Sequence, residues 1–295
     1  MSFLLLFCPP RLVAHVLAVC AAWFLSSQFA HGVGLVSVQA NGSLGFDSRS
    51  AASGSVSAQQ SGSNADVMEL SRATAAFGVL RTYAESHIGN RGPNNISSVF
   101  ATGTAFFSDD FTFNFAGLTG QSGSFTFRLA IGGTLAASLV GAGSETSPFS
   151  YAQATLGVLK DGSFIHGTDV ERLRSDGTTV ITNESFLNQV KTITVPFTFG
   201  TPFELKTQLQ AATNSRSEFG ANCIADAEHT LEWGGIASVN DSGNNALTNY
   251  TVGSTSGTNY VNAIPEPSAV TLLAFGIAGL IAKRRRSSLS PRSIT

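Results

Sequence analysis

The sequence predicts an all-β protein: an antiparallel, jelly-roll-like β-sandwich, preceded by an N-terminal signal helix and followed by a short C-terminal transmembrane helix. Three observations point to the sandwich. Apolar and polar residues alternate with period two at 110–115, where Phe111, Phe113 and Phe115 recur, and at 124–131, where Phe125, Phe127, Leu129 and Ile131 recur; this is the pattern of strands with one buried face. Asp161-Gly162 and Asp176-Gly177 sit between apolar stretches and mark tight hairpin turns. The aromatic inventory is 22 Phe against 2 Trp and 4 Tyr, and a ring without a polar handle suits sheet-on-sheet packing better than a binding surface.

Residues 1–30 read as a signal peptide. Arg11 precedes an apolar run at 12–25, and Ser26, Ser27, Gln28 and Ala30 make a small, polar exit with cleavage near Ala30. Cys8 and Cys20 fall inside that segment, so the mature chain keeps Cys223 alone and forms no internal disulfide. Residues 31–65, rich in Ser, Gly, Ala and Gln, predict a flexible arm or weak edge. A sandwich domain over 66–262 follows, with 66–72 as one short helix.

Strands are expected at 77–83, 99–107, 110–115 and 124–131, the last two joined as a hairpin by the loop 116–123 with its three glycines. Residues 151–182 read as a meander. Strands at 191–199 and 203–209 carry Pro196 and Pro202, which confine them to edges or bends because proline cannot donate to a ladder. Further strands are expected at 230–239, 247–252 and 257–262. Trp233-Gly234-Gly235 marks a bulge. Either Trp233 packs over it, or Trp233 is exposed and stacks on a sugar ring with Tyr151, Tyr250 or Tyr260 nearby.

Signatures of chemistry are scarce. The sequence holds no G-x-S-x-G, H-E-x-x-H, G-x-x-x-x-G-K or G-x-G-x-x-G pattern, the common signatures of hydrolases, metalloproteases and nucleotide binders. The expectation is a non-enzymatic protein with no cofactor and no metal. His229 and Glu232 are three apart, which on a strand places them on opposite faces. Asp109-Asp110 reads as a wet hairpin end, and the stretch from Asp241 to Asn245 lacks the spacing and closing Glu of a calcium loop.

Charge divides the chain further. The whole has 17 basic and 19 acidic residues, but 31–264 holds 11 basic against 18 acidic, a balance of −7. That excludes a nucleic-acid partner bound through clustered cations. Of the six basic residues outside the middle, Arg11 lies near the amino end and five gather at the carboxyl end.

There, Pro265, Glu266, Pro267 and Ser268 are followed by an uncharged run at 269–282 and then by Lys283, Arg284, Arg285 and Arg286. Two prolines two apart hold 263–268 extended, and Pro267 suits the first turn of the helix that follows. A membrane helix over 268–282 is short, because the 14 residues of the run 269–282 rise only about 21 Å against a hydrocarbon core of about 30 Å. Snorkelling of Lys283 and Arg284 closes part of the gap. The basic cluster acts as a membrane stop that leaves 287–295 as a cytoplasmic tail.

This three-part end resembles the PEP-CTERM sorting signal of Gram-negative, exopolysaccharide-producing bacteria, also known as the ice-binding-protein C-terminal domain. The resemblance covers 263–286. It implies export across the inner membrane, recognition by an exosortase-type membrane processing enzyme at or near Pro265, Glu266 and Pro267, and transfer to the cell surface or extracellular matrix. The chain departs from the pattern by continuing nine residues beyond Arg286. The function expected is that of a non-catalytic surface or matrix protein associated with exopolysaccharide in a biofilm. The alternative is a carbohydrate-binding or carbohydrate-active β-sandwich, and an exposed aromatic-and-carboxylate groove on one sheet discriminates between them.

Overall fold

The computed structural model describes residues 34–90, 92, 95–140 and 148–264. The expected signal peptide, the sorting motif, the apolar helix 268–282, the basic stop and the tail 287–295 lie outside the described residues. Among those residues every regular element is a strand: β1 (Leu35–Gly42), β2 (Gly45–Ala51), β3 (Ser55–Asn64), β4 (Val67–Ala76), β5 (Val79–Ile88), β6 (Ser97–Asn114), β7 (Ser122–Ile131), β8 (Thr134–Leu139), β9 (Phe149–Lys160), β10 (Ser163–Arg174), β11 (Thr179–Thr182), β12 (Gln189–Thr198), β13 (Phe203–Ser217), β14 (Ala221–Asp241) and β15 (Thr251–Ser254). No helix among them is long and apolar enough to cross a membrane.

The strands form two antiparallel sheets packed face to face. One has the order β11-β10-β9-β13-β6-β1-β2, with β15 on the far end of β6; the other runs β12-β7-β14-β5-β4-β3, with β8 on β14. The meander expected over 151–182 is β9-β10-β11. Its first turn is left-handed at both Asp161 (φ 49°) and Gly162 (φ 77°), the geometry that an Asp-Gly pair tolerates best. Pro196 lies in β12, an edge strand as expected.

Several expectations need correction. The hairpin predicted across 116–123 does not form, because β6 and β7 belong to opposite sheets. The loop arches over the end of the sandwich, and Phe113 meets Phe125 across the core at 4.6 Å between ring centroids. Alternation reports which face of a strand is apolar and is silent on which strand lies beside it. The segments 99–107 and 110–115 are one 18-residue strand. Residues 257–262 form no strand; they run as an irregular strap.

The flexible arm over 31–65 is corrected most fully, since 35–64 form β1, β2 and β3. Val36, Val38 and Ala40 alternate inward and are fully buried. Ser and Gln take the outward positions of β3 at the sheet edge, where a polar side chain costs little. The short helix at 66–72 is strand β4 instead; Glu69 and Ser71 point inward there, and Glu69 accepts the Leu44 amide at 2.8 Å, closing the β1–β2 turn.

The core tapers. Inward positions along β6 run Val99, Ala101, Gly103, Ala105, Phe107, then Phe111 and Phe113. At the wide end the phenylalanines join Trp233 and Tyr260 in one cluster. At the narrow end Ala84, Ala101, Ala152, Ala211 and Ala225 fill the space, and Ser86, Ser150, Ser215 and Cys223 hydrogen-bond beside them. The lone Cys223 is buried, and burial pushes its pKa up. It is a packing residue.

Asp109 is buried within β6 rather than standing at a wet hairpin end. Its carboxylate accepts the Ser256 amide at 3.0 Å and the Ser256 hydroxyl. That pair fastens the strap 255–264 across the wide end. Trp233 Nε1 donates to Tyr260 O at 2.8 Å, and the Ile264 amide donates to Trp233 O at 2.9 Å. Gly235, at φ 88°, makes the bulge that lets the strap lie down; a Cβ there meets Ala263 N at 3.0 Å.

Candidate functional site

Trp233 is fully buried and stacks on Phe127 at 4.3 Å, so the packed alternative holds and Trp233 presents no face to a ligand. Tyr260 is buried as well. The outward face of the eight-stranded sheet is one candidate surface for a ligand, and period two decides what it carries. In β13, Leu205, Leu209 and Ala211 point into the core, so Lys206, Gln208, Gln210, Asn214 and Arg216 point out.

Strand register assembles these residues into rows. Thr104 of β6 lies opposite Gln210, and Gln210 opposite Thr155 of β9. Gln210 Nε2 donates to Thr104 Oγ1 at 3.1 Å, Gln153 Nε2 to Thr155 Oγ1 at 3.0 Å, and Arg172 Nε to Gln153 Oε1 at 2.8 Å. Gln208, Gln210, Thr104 and Thr155 are all buried among their neighbours, and Gln153 is the half-buried member of the row.

An aromatic pair closes one end of the rows. Phe149 and Tyr151 stack with centroids 6.3 Å apart, both half-buried, and the Arg172 guanidinium sits 4.5 Å from the Tyr151 ring. Arg174 and Asn214 are the register partners of Tyr151, and Arg216 is the partner of Phe149. A half-exposed aromatic platform beside the half-buried Gln153 amide and the guanidinium groups suits a polyhydroxylated ring, whose C–H face stacks while its edge takes hydrogen bonds.

Lys206 occupies the other end, its ammonium 4.0 Å from the Phe106 ring centroid. Burial lowers its pKa to about 8 against the opposing pull of Glu204. The unfolded lysine titrates near 10.4, so the unfolded chain holds more protons between those values, and this group makes stability rise with pH from about 8 to about 10.4. Nitrogen-detected NMR of the Lys206 side chain is expected to show a midpoint near 8. A midpoint above 10 contradicts the burial.

The seven-stranded sheet has a concavity of about 360 Å³ on its outward face, lined by Arg72, Thr74, Arg81, Asp226 and Glu228. Its charges answer one another. Arg72 lies 3.4 Å from Glu228 and 4.7 Å from the Tyr83 ring, and Tyr83 donates to Glu85 at 2.8 Å. Burial and then the Glu85 bond push the Tyr83 pKa up. This is a self-compensated ladder across β4, β5 and β14.

Among the described residues no group of three His, Cys, Asp or Glu could hold a metal ion. Asp241 gives its carboxylate to its own turn, accepting from Asn245 Nδ2 and from the Asn245 and Gly243 amides; those bonds lower its pKa, the Asn245 side chain contributing most. Of the residues carrying the sorting expectation, Pro265, Glu266, Pro267, Ser268, Lys283, Arg284, Arg285 and Arg286 all lie outside the described residues. Their nearest described neighbour, Ile264, is tied to Trp233 O.

The face was missed in the sequence although its marks are there: Tyr151-x-Gln153-x-Thr155, Arg172-x-Arg174 and Gln208-x-Gln210 are each period-two polar stripes. What no stripe reveals is that β9, β10 and β13 lie side by side.

No protein-family model matches the chain, and no curated protein matches it. A solved structure concerned with the promiscuous specificity of carbohydrate-binding modules of the β-sandwich superfamily aligns over 68% of this chain and 85% of its own, at 10% identity and a TM-score of 0.13. A likeness that slight carries no argument about fold or function.

Proposed function

We propose that this protein is an exported, non-catalytic β-sandwich that is sorted to the bacterial cell surface and there binds polysaccharide of the extracellular matrix. The binding half of the reading rests on one observation: the stacked, half-buried Phe149–Tyr151 pair beside the half-buried Gln153 amide and the Arg172 guanidinium that holds it. The groove expected of a carbohydrate-active enzyme pairs aromatics with carboxylates; here the polar neighbours of the rings are amides and guanidinium groups. The sorting half is supported by the sequence at both ends, which implies an exosortase-type partner and the inner membrane as a way station.

Each half has its own test. Screened on a glycan array, the protein is expected to bind a defined subset of polysaccharides, with Tyr151→Ala weakening the interaction about tenfold, the equivalent of one good aromatic contact. An array without signal sinks the binding half. Intact-mass measurement of surface-extracted protein is expected to find the chain cut near Pro265; a mature form ending at Thr295 sinks the sorting half.

A further inference from the structure

The charge of the proposed polysaccharide is written on the same face. Residues 31–264 are acidic overall, at −7, yet the aromatic end of the outward sheet is ringed by Arg172, Arg174 and Arg216. All three project from the sheet by strand parity, since Glu171 is buried on the opposite side of β10 and Ser215 and Ser217 are buried on the opposite side of β13. Arg172 and Arg174 are successive outward residues of β10, and Arg216 stands two strands away, about 9.5 Å by strand spacing.

These cations are not answered by carboxylates as those of the other sheet are. Arg172 donates to the neutral amide of Gln153. Among the described residues neither Arg174 nor Arg216 has an ion-pair partner. The nearby acids are Asp176 in the exposed β10–β11 turn, whose pKa is lowered mainly by the Thr178 bonds and to a smaller degree by Arg174, and Glu218, which is buried. Outward-facing carboxylates on this sheet lie at its far end, at Asp110 and Glu204.

We infer that the ligand of this face is an acidic polysaccharide, its sugar ring on the Phe149–Tyr151 platform and its carboxylates against Arg172, Arg174 and Arg216. This rests on the reading of the face as a polysaccharide site. The guanidinium fork is matched to a carboxylate in a way an ammonium is not, and three cations that form no ion pair among the described residues, on an acidic domain, raise the local concentration of a polyanion where the protein elsewhere repels it. The aromatic platform separates a glycan from a simple anion.

The test uses the full chain, immobilised, against polygalacturonate, dextran and single-stranded DNA. Polygalacturonate is expected to bind at least about tenfold more tightly than dextran, and its binding to weaken as salt rises. The double variant Arg174→Gln/Arg216→Gln is expected to lose about tenfold in polygalacturonate affinity with an unchanged melting temperature, and Arg174→Lys/Arg216→Lys to recover part of it. Dextran bound as tightly as polygalacturonate, or a double variant that keeps full affinity, overturns the inference while leaving the polysaccharide reading in place. If neither polysaccharide binds, the inference falls, and the glycan array decides whether the polysaccharide reading falls with it. DNA bound as tightly as polygalacturonate overturns the assignment to a glycan.

Discussion

Gly103→Ala is expected to destabilise the protein by about 3 kcal/mol or more, lowering the melting temperature by on the order of 10 °C. A Cβ at this position falls 2.3 Å from Arg72 O and 2.8 Å from Tyr83 O. Both atoms are backbone carbonyls of the facing sheet, so neither can swing aside as a side chain can. Relief requires the two sheets to part at their narrow end, where Ala84, Ala101, Ala152, Ala211 and Ala225 are in contact. Parting them forfeits dispersion contacts along several strands at once. Gly253→Ala is the matched control, because its nearest non-neighbouring atom is Thr112 O at 4.0 Å; its effect is expected to stay within about 1 kcal/mol. Thermal unfolding of the two variants decides the matter, and equal melting temperatures contradict a backbone-to-backbone closure.

Trp233→Ala is expected to cost about 4 kcal/mol and to loosen the strap selectively. The indole lies within the aromatic cluster, 4.3 Å from Phe127 and 6.0 Å from Phe111. Its Nε1 holds Tyr260 O and its own carbonyl holds the Ile264 amide. Truncation therefore leaves a cavity and strands a buried carbonyl on Tyr260. Trp233→Phe keeps most of the volume and loses only the hydrogen bond, so about 1–2 kcal/mol is expected. Hydrogen exchange in 255–264 reports the strap directly. Faster exchange in Trp233→Ala than in an equally destabilised Gly103→Ala chain is the expected result, and equal exchange means the strap is not held by the indole.

The strap also bears on the proposed sorting. Ile264 packs on the core and is hydrogen-bonded to β14, and Pro265 is the next residue. On the proposed reading the processing motif starts with no spacer beyond the folded body, so a chain with a loosened strap is expected to present that motif more freely to a membrane enzyme.

Much of this protein was legible in advance for definite reasons. Period two at Phe111, Phe113, Phe125 and Phe127 announced strands with one buried face, because alternation of side chains follows from the extended backbone alone. Asp161-Gly162 announced its turn, because few residue pairs tolerate two consecutive left-handed positions. Pro196 announced an edge. Other features were hidden. Residues 35–64 looked like linker in composition, since Ser and Gln are common to linkers and to the outward positions of an edge strand. Asp109 looked like a surface acid, and only the returning strap supplies its buried donors, 147 residues away in sequence.

What the sequence determined by itself is local: an all-β chain, its turns and the inward set of its strands, because these depend on the conformational preferences of neighbouring residues. Which strands lie side by side, which loops arch between sheets and which polar stripes meet on one face were decided by the tertiary structure. Partner choice is a contest among long-range pairings whose hydrogen bonds are chemically alike, and the outcome rests on how side-chain volumes tile the space between the sheets: phenylalanine at the wide end, alanine and Gly103 at the narrow one. The same tiling brings Tyr151, Gln153, Arg172, Gln210 and Arg216, each unremarked in its own strand, onto a single surface.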